Sequence, residues 1–347
     1  MFFASDNSGK AHPEVMQALV DANEGYAMGY GADPINGEVR EKLREVFEAP
    51  DAVVHLVATG TAANSLILGS MSRPFDAIFC SDEAHIHVDE CNAPEFYTGG
   101  AKLIPIPSTH AKIAPSDLER AILGEENRGV HGPKRGPVSL TQLTEAGTAY
   151  SLEELSALTA CAKSYGLATH MDGARFANAV SKIGCSPADM TWRAGISALS
   201  FGGTKNGLLG VEAVIFFDPA LAEEFELRRK RGGHLFSKNR YLSAQMQAYL
   251  RDDLWLKAAE QANNNAAYLA DALERVGATI HGSVDGNIIF ADLPRSTHQC
   301  LKDAGAVYHI MVGNLEGDDP SEPLTARFVC DWSISRELID QFIGLFD

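Results

Sequence analysis

Residues 151–175, Ser151-Leu-Glu-Glu-Leu-Ser-Ala-Leu-Thr-Ala-Cys-Ala-Lys-Ser-Tyr-Gly-Leu-Ala-Thr-His-Met-Asp-Gly-Ala-Arg175, carry the pattern from which the fold can be read. Ser151 stands as an N-cap with Glu154 at the third helical position, and Leu155, Leu158 and Ala162 continue one apolar face as far as Tyr165-Gly166. An apolar strand follows over 168–171 and ends in Asp172. Working outward, the same alternation runs from Ala49 to about Phe217, with further strands expected at 53–57, 77–80, 103–106, 137–140, 198–201 and 211–217. Seven short strands joined by helices predict a doubly wound α/β layer with a mostly parallel sheet.

Beyond Phe217 the rhythm changes. Residues 219–231 read as a charged helix, and 241–276 as nearly continuous helix with Gly277 in the stop position. Strand-like segments at 287–292, 306–312 and 325–330 alternate with short helices, as in an α+β unit. The expected division is a large domain over 1–250 and a smaller one over 251–347, with roughly the first 20 residues packing on the small domain. There is no internal repeat or low-complexity tract.

The 347 residues hold 29 Lys and Arg against 46 Asp and Glu, a net charge of −17. Such a field repels phosphate backbones and anionic bilayers, which argues against nucleic-acid and membrane partners. The start, Met1-Phe-Phe-Ala-Ser-Asp6, lacks a basic region and meets Asp6 where an apolar core should continue, so no signal peptide is expected. No apolar run approaches the ~20 residues needed to cross a bilayer. Six scattered cysteines without a CxxC pair fit reduced thiols and a cytoplasmic protein.

Four stretches carry candidate chemistry. In Ala198-Leu-Ser-Phe-Gly-Gly-Thr-Lys-Asn-Gly-Leu-Leu-Gly210 a strand runs into glycines around one lysine. Partial desolvation there would lower the amine pKa and make Lys205 a nucleophile for a carbonyl cofactor. Asp172, at the carboxyl end of its strand, is the acid that would keep a pyridinium nitrogen protonated, and it also suits a helix cap. Leu56-Val-Ala-Thr-Gly-Thr-Ala-Ala-Asn64 places Gly60 and Thr61 at a helix start, where an anion such as phosphate is favoured. Ala84-His-Ile-His-Val-Asp-Glu90 allows two readings: metal ligation by His85, His87, Asp89 and Glu90, or one imidazole stacked on a cofactor ring and relaying protons.

Together these pieces resemble the fold-type I pyridoxal-phosphate enzymes, most closely the low-specificity L-threonine aldolase family, whose members include phenylserine aldolase-like enzymes. Further motifs agree in order along the chain. Ser5-Asp6-Asn7 resembles the family's N-terminal Ser-Asp motif, Tyr30-Gly31-Ala32-Asp33-Pro34 its Tyr-Gly-x-Asp-Pro segment, and Thr59-Gly60-Thr61 its phosphate turn. The resemblance implies a large domain with a mostly parallel seven-stranded sheet, a smaller α+β C-terminal domain, and pyridoxal 5'-phosphate as cofactor. It implies that Lys205 bonds covalently to the cofactor, Asp172 holds the ring nitrogen and His85 stacks on the ring. Gly60, Thr61 and Thr204 would sit at the cofactor. Arg175 would serve cofactor and substrate, gripping the substrate carboxylate with Arg327 and with help from Ser5. Tyr30 would lie at the substrate, His131 near its β-substituent, and Lys238, from the basic run at 228–238, at a neighbouring subunit's phosphate. A homodimer or homotetramer with shared sites is implied as well.

One departure stands out. Many family members carry an acidic-amide-Thr-His sequence after the strand matched by 137–140, and this chain has Thr141-Gln142-Leu143-Thr144-Glu145. The implied reaction is retro-aldol cleavage of L-threonine, L-allo-threonine or a related β-hydroxy-α-amino acid, phenylserine included, to glycine and an aldehyde. His85, directly or through water, would take the β-hydroxyl proton. Alternatives with the same cofactor are β-elimination and aminotransfer. A metal-dependent hydrolase built on His85 and His87 would be a different class. A dinucleotide-dependent dehydrogenase using Gly29-Tyr30-Gly31 lacks the third glycine of its motif and a preceding strand.

Overall fold

The computed structural model describes residues 1–346. Seven strands form the central sheet: β1 (Val53–Val57), β2 (Asp76–Ser81), β3 (Lys102–Ile106), β4 (Lys134–Thr141), β5 (Thr169–Gly173), β6 (Ala198–Gly202) and β7 (Glu212–Phe216), in the order β1-β7-β6-β5-β4-β2-β3. Only β7 opposes its neighbours; the β2, β3, β4, β5 and β6 ladders are parallel. The predicted doubly wound α/β layer is the observed one. Its inner strands are enclosed: every residue of β5, β6 and β7 is buried, the polar His170, Asp172, Ser200 and Glu212 included.

The Ser151 cap forms a full capping box with Glu154 ahead of the helix Leu152–Ser164. The two long helical expectations are corrected. Residues 219–231 divide into a short 3-10 turn at Pro219–Ala222 and a helix at Phe225–Arg231. The expected helix over 241–276 is two helices, Arg240–Leu250 and Leu254–Arg275. Between them Asp252 and Asp253 take left-handed backbone (φ 50° and 56°), a conformation that Asp tolerates better than most residues.

A second sheet, order β10-β11-β9-β8, comprises β8 (Thr279–Ile280), β9 (Ile288–Pro294), β10 (His309–Val312) and β11 (Pro323–Val329), and is antiparallel throughout. The strand expected over 306–312 begins only at His309; before it, Val307 bridges Phe2 instead. Phe3 is fully buried beside Phe328 and Phe342 in the core of this sheet. That contact contributes roughly 2–3 kcal/mol of apolar burial and brings Ser5, Asp6 and Asn7 back over the end of the central sheet. All six cysteines are unpaired. Among the described residues no helix is long and apolar enough to cross a membrane.

Candidate active site

One cavity of about 270 Å³ opens beside the carboxyl ends of β4, β5 and β6 and the start of β7. This is the edge at which parallel sheets place ligands, because the following loops and helix starts converge there. Lys205, Asp172, His85, Arg175, Thr204, Gly60 and Thr61 all line it.

Close packing fixes the floor. A Cβ built on Gly202 would lie 2.4 Å from the Ala174 carbonyl oxygen, so only glycine lets β6 leave the sheet so near the turn after β5. The turn that follows is held from both sides. Gly203 N–H and Thr204 Oγ1 donate to the two carboxylate oxygens of Glu212 (2.7 and 2.6 Å). On the other side Asn206 Nδ2 donates to the Tyr249 hydroxyl and the Trp255 carbonyl, both at 2.8 Å. Lys205 is thus presented on a rigid support. The Arg175 charge, then burial, lower its pKa against the opposing pull of Asp6, Asp172 and Glu212, which favours the neutral, nucleophilic amine. Burial raises Glu212 to about 7 although its two hydrogen bonds oppose that.

Asp172 closes a buried polar chain. Its Oδ2 accepts from Asn64 Nδ2 (2.8 Å) and its Oδ1 from Ala174 N–H (3.0 Å). The second Asn64 amide proton goes to Glu90 Oε1 (2.9 Å), and Asn64 Oδ1 accepts from Ser200 Oγ at 2.7 Å. With its proton committed to Asn64, Ser200 must accept from His170 Nε2 (3.1 Å), so the His170 Nδ1 accepts from Ser139 Oγ (2.9 Å). Burial pulls His170 down to about 4, which keeps the ring neutral and consistent with this direction of donation. Asn64 therefore separates the carboxylates of Asp172 and Glu90 and donates to both.

His85 opens the one-turn helix His85–Val88. Its Nδ1 meets Glu90 Oε1 at 2.8 Å, a contact that raises its pKa against the effect of burial and leaves Nε2 free of protein partners. The metal reading is corrected here. Residues 85 and 87 lie ~200° apart around a helix, and among the described residues no group of three His, Cys, Asp or Glu side chains is placed to hold a metal. Glu145 completes this wall: its Oε1 accepts from His85 N–H (2.8 Å) and Thr141 Oγ1 (2.9 Å).

Arg175 is pinned by Asp6, through Nε to Oδ2 at 2.7 Å and Nη2 to Oδ1 at 3.0 Å, and Asn287 Nδ2 supports the same carboxylate at 3.0 Å. Burial opposes ionisation of Asp6, but the charges of Arg175 and Lys205 and these hydrogen bonds hold its carboxyl below the usual range. Arg327 on β11 donates to the Ala4 carbonyl at 3.3 Å, and its buried Nε has no partner among the described residues. At the opposite wall Thr59 caps the helix Gly60–Met71 by accepting from Ala62 N–H. That leaves the Gly60 and Thr61 N–H groups as first-turn donors without helical acceptors.

The other sequence candidates stand elsewhere in this chain. Ser5 accepts from Asn7 N–H, and it is Asn7 that lines the cavity. Tyr30 is exposed under Lys230, whose Nζ is 4.7 Å from the ring centroid. Lys238 lines a separate surface hollow with Tyr26 and Met28, and His131 ends an exposed 3-10 turn. Sequence reasoning gave no role to Asn64, Asp6, Glu145 or Glu212. Asp6 lay inside the quoted Ser5-Asp6-Asn7 motif, and Glu145 was the residue at the departure from the family pattern. Asn64 and Glu212 had no local signal, since each acts through partners more than 100 residues away or through a turn on the adjacent strand.

The beta-eliminating lyase family matches over residues 3–295. A low-specificity L-threonine aldolase of Pseudomonas aeruginosa is 39% identical over 338 residues, spanning 97% of this chain and 94% of that protein. The solved threonine aldolase of Leishmania major superposes with a TM-score of 0.92 at 26% identity, over 99% of this chain and 98% of that one. An SPT structure holding PLP, 18% identical over all of this chain and 86% of its own, shares the fold with a TM-score of 0.73.

Proposed function

Since this chain belongs to the beta-eliminating lyase family, and among its members to the low-specificity L-threonine aldolases, we propose that it is a pyridoxal-phosphate-dependent lyase that cleaves L-threonine, L-allo-threonine or a related β-hydroxy-α-amino acid to glycine and an aldehyde. The observation that carries the reading is the convergence of Lys205 and Asp172 on one cavity. The cavity suits the cofactor in further respects. A Cβ built on Gly60 would meet nothing within 4 Å, so the helix start is open beside its free N–H donors. Arg175, held by Asp6, brings a guanidinium to the cavity wall where it can meet a carboxylate.

In this reading Lys205 would bond covalently to the cofactor, Asp172 would pair with its ring nitrogen and His85 would stack against it. Gly60 and Thr61 would hold the phosphate, with Thr204 beside them. Bound pyridoxal phosphate supplies an electron sink for the pair released when Cα–Cβ breaks. Everything else falls to the protein. Arg175 and Arg327 would fix the substrate carboxylate and so choose which bond at Cα is aligned for cleavage. Asn64 and Ala174 N–H hold Asp172 in one orientation. His85, steadied by Glu90, presents Nε2 for proton transfer. Tyr30, His131 and Lys238 are read as contributing across a subunit boundary of a homodimer or homotetramer, Lys238 to a neighbour's phosphate; their exposure supports that assignment. We read 1–250 as the cofactor-binding domain and 251–347 as the small domain, a division supported by the separate core around Phe3 and Phe328. The reduced-thiol composition supports a cytoplasmic location.

A visible spectrum of purified protein tests the cofactor, with Lys205→Ala and borohydride reduction as controls. Wild type should gain absorbance with the added cofactor and lose it on reduction, and the variant should not be covalently labelled. Glycine plus aldehyde from threonine supports aldol cleavage; a keto acid with ammonia would overturn it in favour of elimination.

A further inference from the structure

Asn7 lines the cavity together with Arg175 and Lys205, and the residue is exposed. Its side-chain amide has no hydrogen-bond partner among the described residues. Its backbone, by contrast, is held throughout. Asn7 N–H donates to the Ser5 hydroxyl (3.1 Å), Ser8 N–H to the Ser5 carbonyl (3.0 Å) and Gly9 N–H to the Asp6 carbonyl (3.3 Å), which closes the 3-10 turn Asp6–Ser8. Asp6 ties that turn to Arg175, and the turn packs against the one that carries Lys205. His12 N–H adds a bond to the Gly207 carbonyl at 2.8 Å. A fixed backbone with a free amide open to the cavity suits a residue that meets a ligand, since the side chain contributes no bond to the fold.

We propose that the Asn7 side chain, through Nδ2–H, binds the substrate carboxylate beside Arg175 and so favours amino acids over other amines. This rests on the proposed amino-acid chemistry of the cavity. Two observations assign the amide to the carboxylate. Arg175 spends Nε and Nη2 on the two oxygens of Asp6, so it meets a substrate carboxylate with its remaining Nη protons and leaves room for a second donor. Ser5, which the family resemblance puts at the carboxylate, does not line the cavity, and its hydroxyl oxygen is used as the acceptor for Asn7 N–H. Asn7 is the next polar side chain along the same turn, and it does reach the cavity. An uncharged amide adds a donor there without a second charge beside the Asp6–Arg175 pair. The segment that Phe3 anchors in the small sheet thus delivers both the counter-ion of Arg175 and the donor that works with it.

The test titrates holoenzyme of the wild type, Asn7→Ala, Asn7→Gln and Asn7→Asp calorimetrically with glycine and with 2-aminoethanol, an amine of similar size that lacks the carboxylate. Every substitution keeps the backbone N–H that Ser5 accepts, so the turn survives. Expected for Asn7→Ala is a Kd for glycine raised about tenfold or more, the value of a hydrogen bond to a charged group, with the Kd for 2-aminoethanol within about twofold of wild type. Asn7→Gln should keep part of the affinity. Asn7→Asp should bind glycine more weakly than Asn7→Ala, because two carboxylates then face each other. The value of kcat/KM for L-threonine should fall in the same order. Cofactor absorbance without ligand should be the same in all four proteins. Unchanged glycine affinity in Asn7→Ala overturns the proposal, as does an equal loss for both ligands, or glycine bound by Asn7→Asp as tightly as by Asn7→Ala. A shifted cofactor band in Asn7→Ala would put the amide on the cofactor and overturn it too. If no glycine forms from any β-hydroxy amino acid while glycine binding follows the expected order, the aldolase reading fails and the assignment of Asn7 stands.

Discussion

Replacing Asp6 by asparagine isolates the contact that ties the N-terminus, the small sheet and the cavity together. In the native protein the Asp6 side chain is 1% exposed and the Arg175 side chain 13%. Three donors converge on this carboxylate, Arg175 Nε at 2.7 Å, Arg175 Nη2 at 3.0 Å and Asn287 Nδ2 at 3.0 Å. The substituted amide can accept at one oxygen only, which leaves one guanidinium donor facing an NH₂ group and an arginine charge buried without its counter-ion. Removing one member of a buried pair costs about 3–5 kcal/mol, because the desolvation of the other is no longer offset. Urea unfolding of apoprotein at pH 7 should therefore show a lower midpoint at an unchanged slope. The loss should shrink in acid. The folded-state pKa of Asp6 lies below its unfolded value, so the stability it contributes is present above the unfolded pKa and lost as pH falls through the folded one. Replacing both partners, Asp6→Leu with Arg175→Met, should recover much of the loss, since no charge is then stranded. In the proposed enzyme Asp6→Asn should also raise KM for the amino acid by about tenfold or more, the value of a charge-assisted bond. A midpoint within about 1 kcal/mol of wild type at pH 7, or a loss that persists unchanged in acid, would refute this account of the pair.

Two further outcomes are expected. Gly202→Ala forces a Cβ against the Ala174 carbonyl at 2.4 Å, backbone that cannot swing aside, so thermal unfolding should drop by the equivalent of about 1–3 kcal/mol and the Lys205 turn should lose its hold on the cofactor; a stable, fully coloured variant would contradict the close approach. Neutral His170, lowered to about 4 from 6.5, should destabilise the fold as pH falls from 6.5 towards 4, because the unfolded chain takes up a proton that the folded one refuses. His170→Gln should flatten that part of the stability curve, and an unchanged curve would show that the ring is not the group responsible.

The strands and their order of use were legible because apolar alternation and helix caps are local, and the Ser151 box and the seven central strands lie where the pattern puts them. Lys205, Asp172, Gly60 and His85 were legible for a related reason: each sits where a strand ends, and the parallel sheet sends those ends to one edge. The helix expected over 241–276 misled because apolar periodicity continues through Arg251-Asp252-Asp253, and only the left-handed pair of aspartates breaks it. What the sequence alone determined is therefore the α/β layer and the set of residues delivered to its carboxyl edge. The tertiary structure decided which groups hold them: Asp6 arriving on Arg175 because Phe3 is buried in the other sheet, Glu212 clamping the lysine turn from β7, Asn64 dividing Asp172 from Glu90, and Glu145 left with one free oxygen. Those choices depend on contacts between chain segments far apart in sequence, and no local pattern fixes how a side chain divides its hydrogen bonds among partners that meet only on folding.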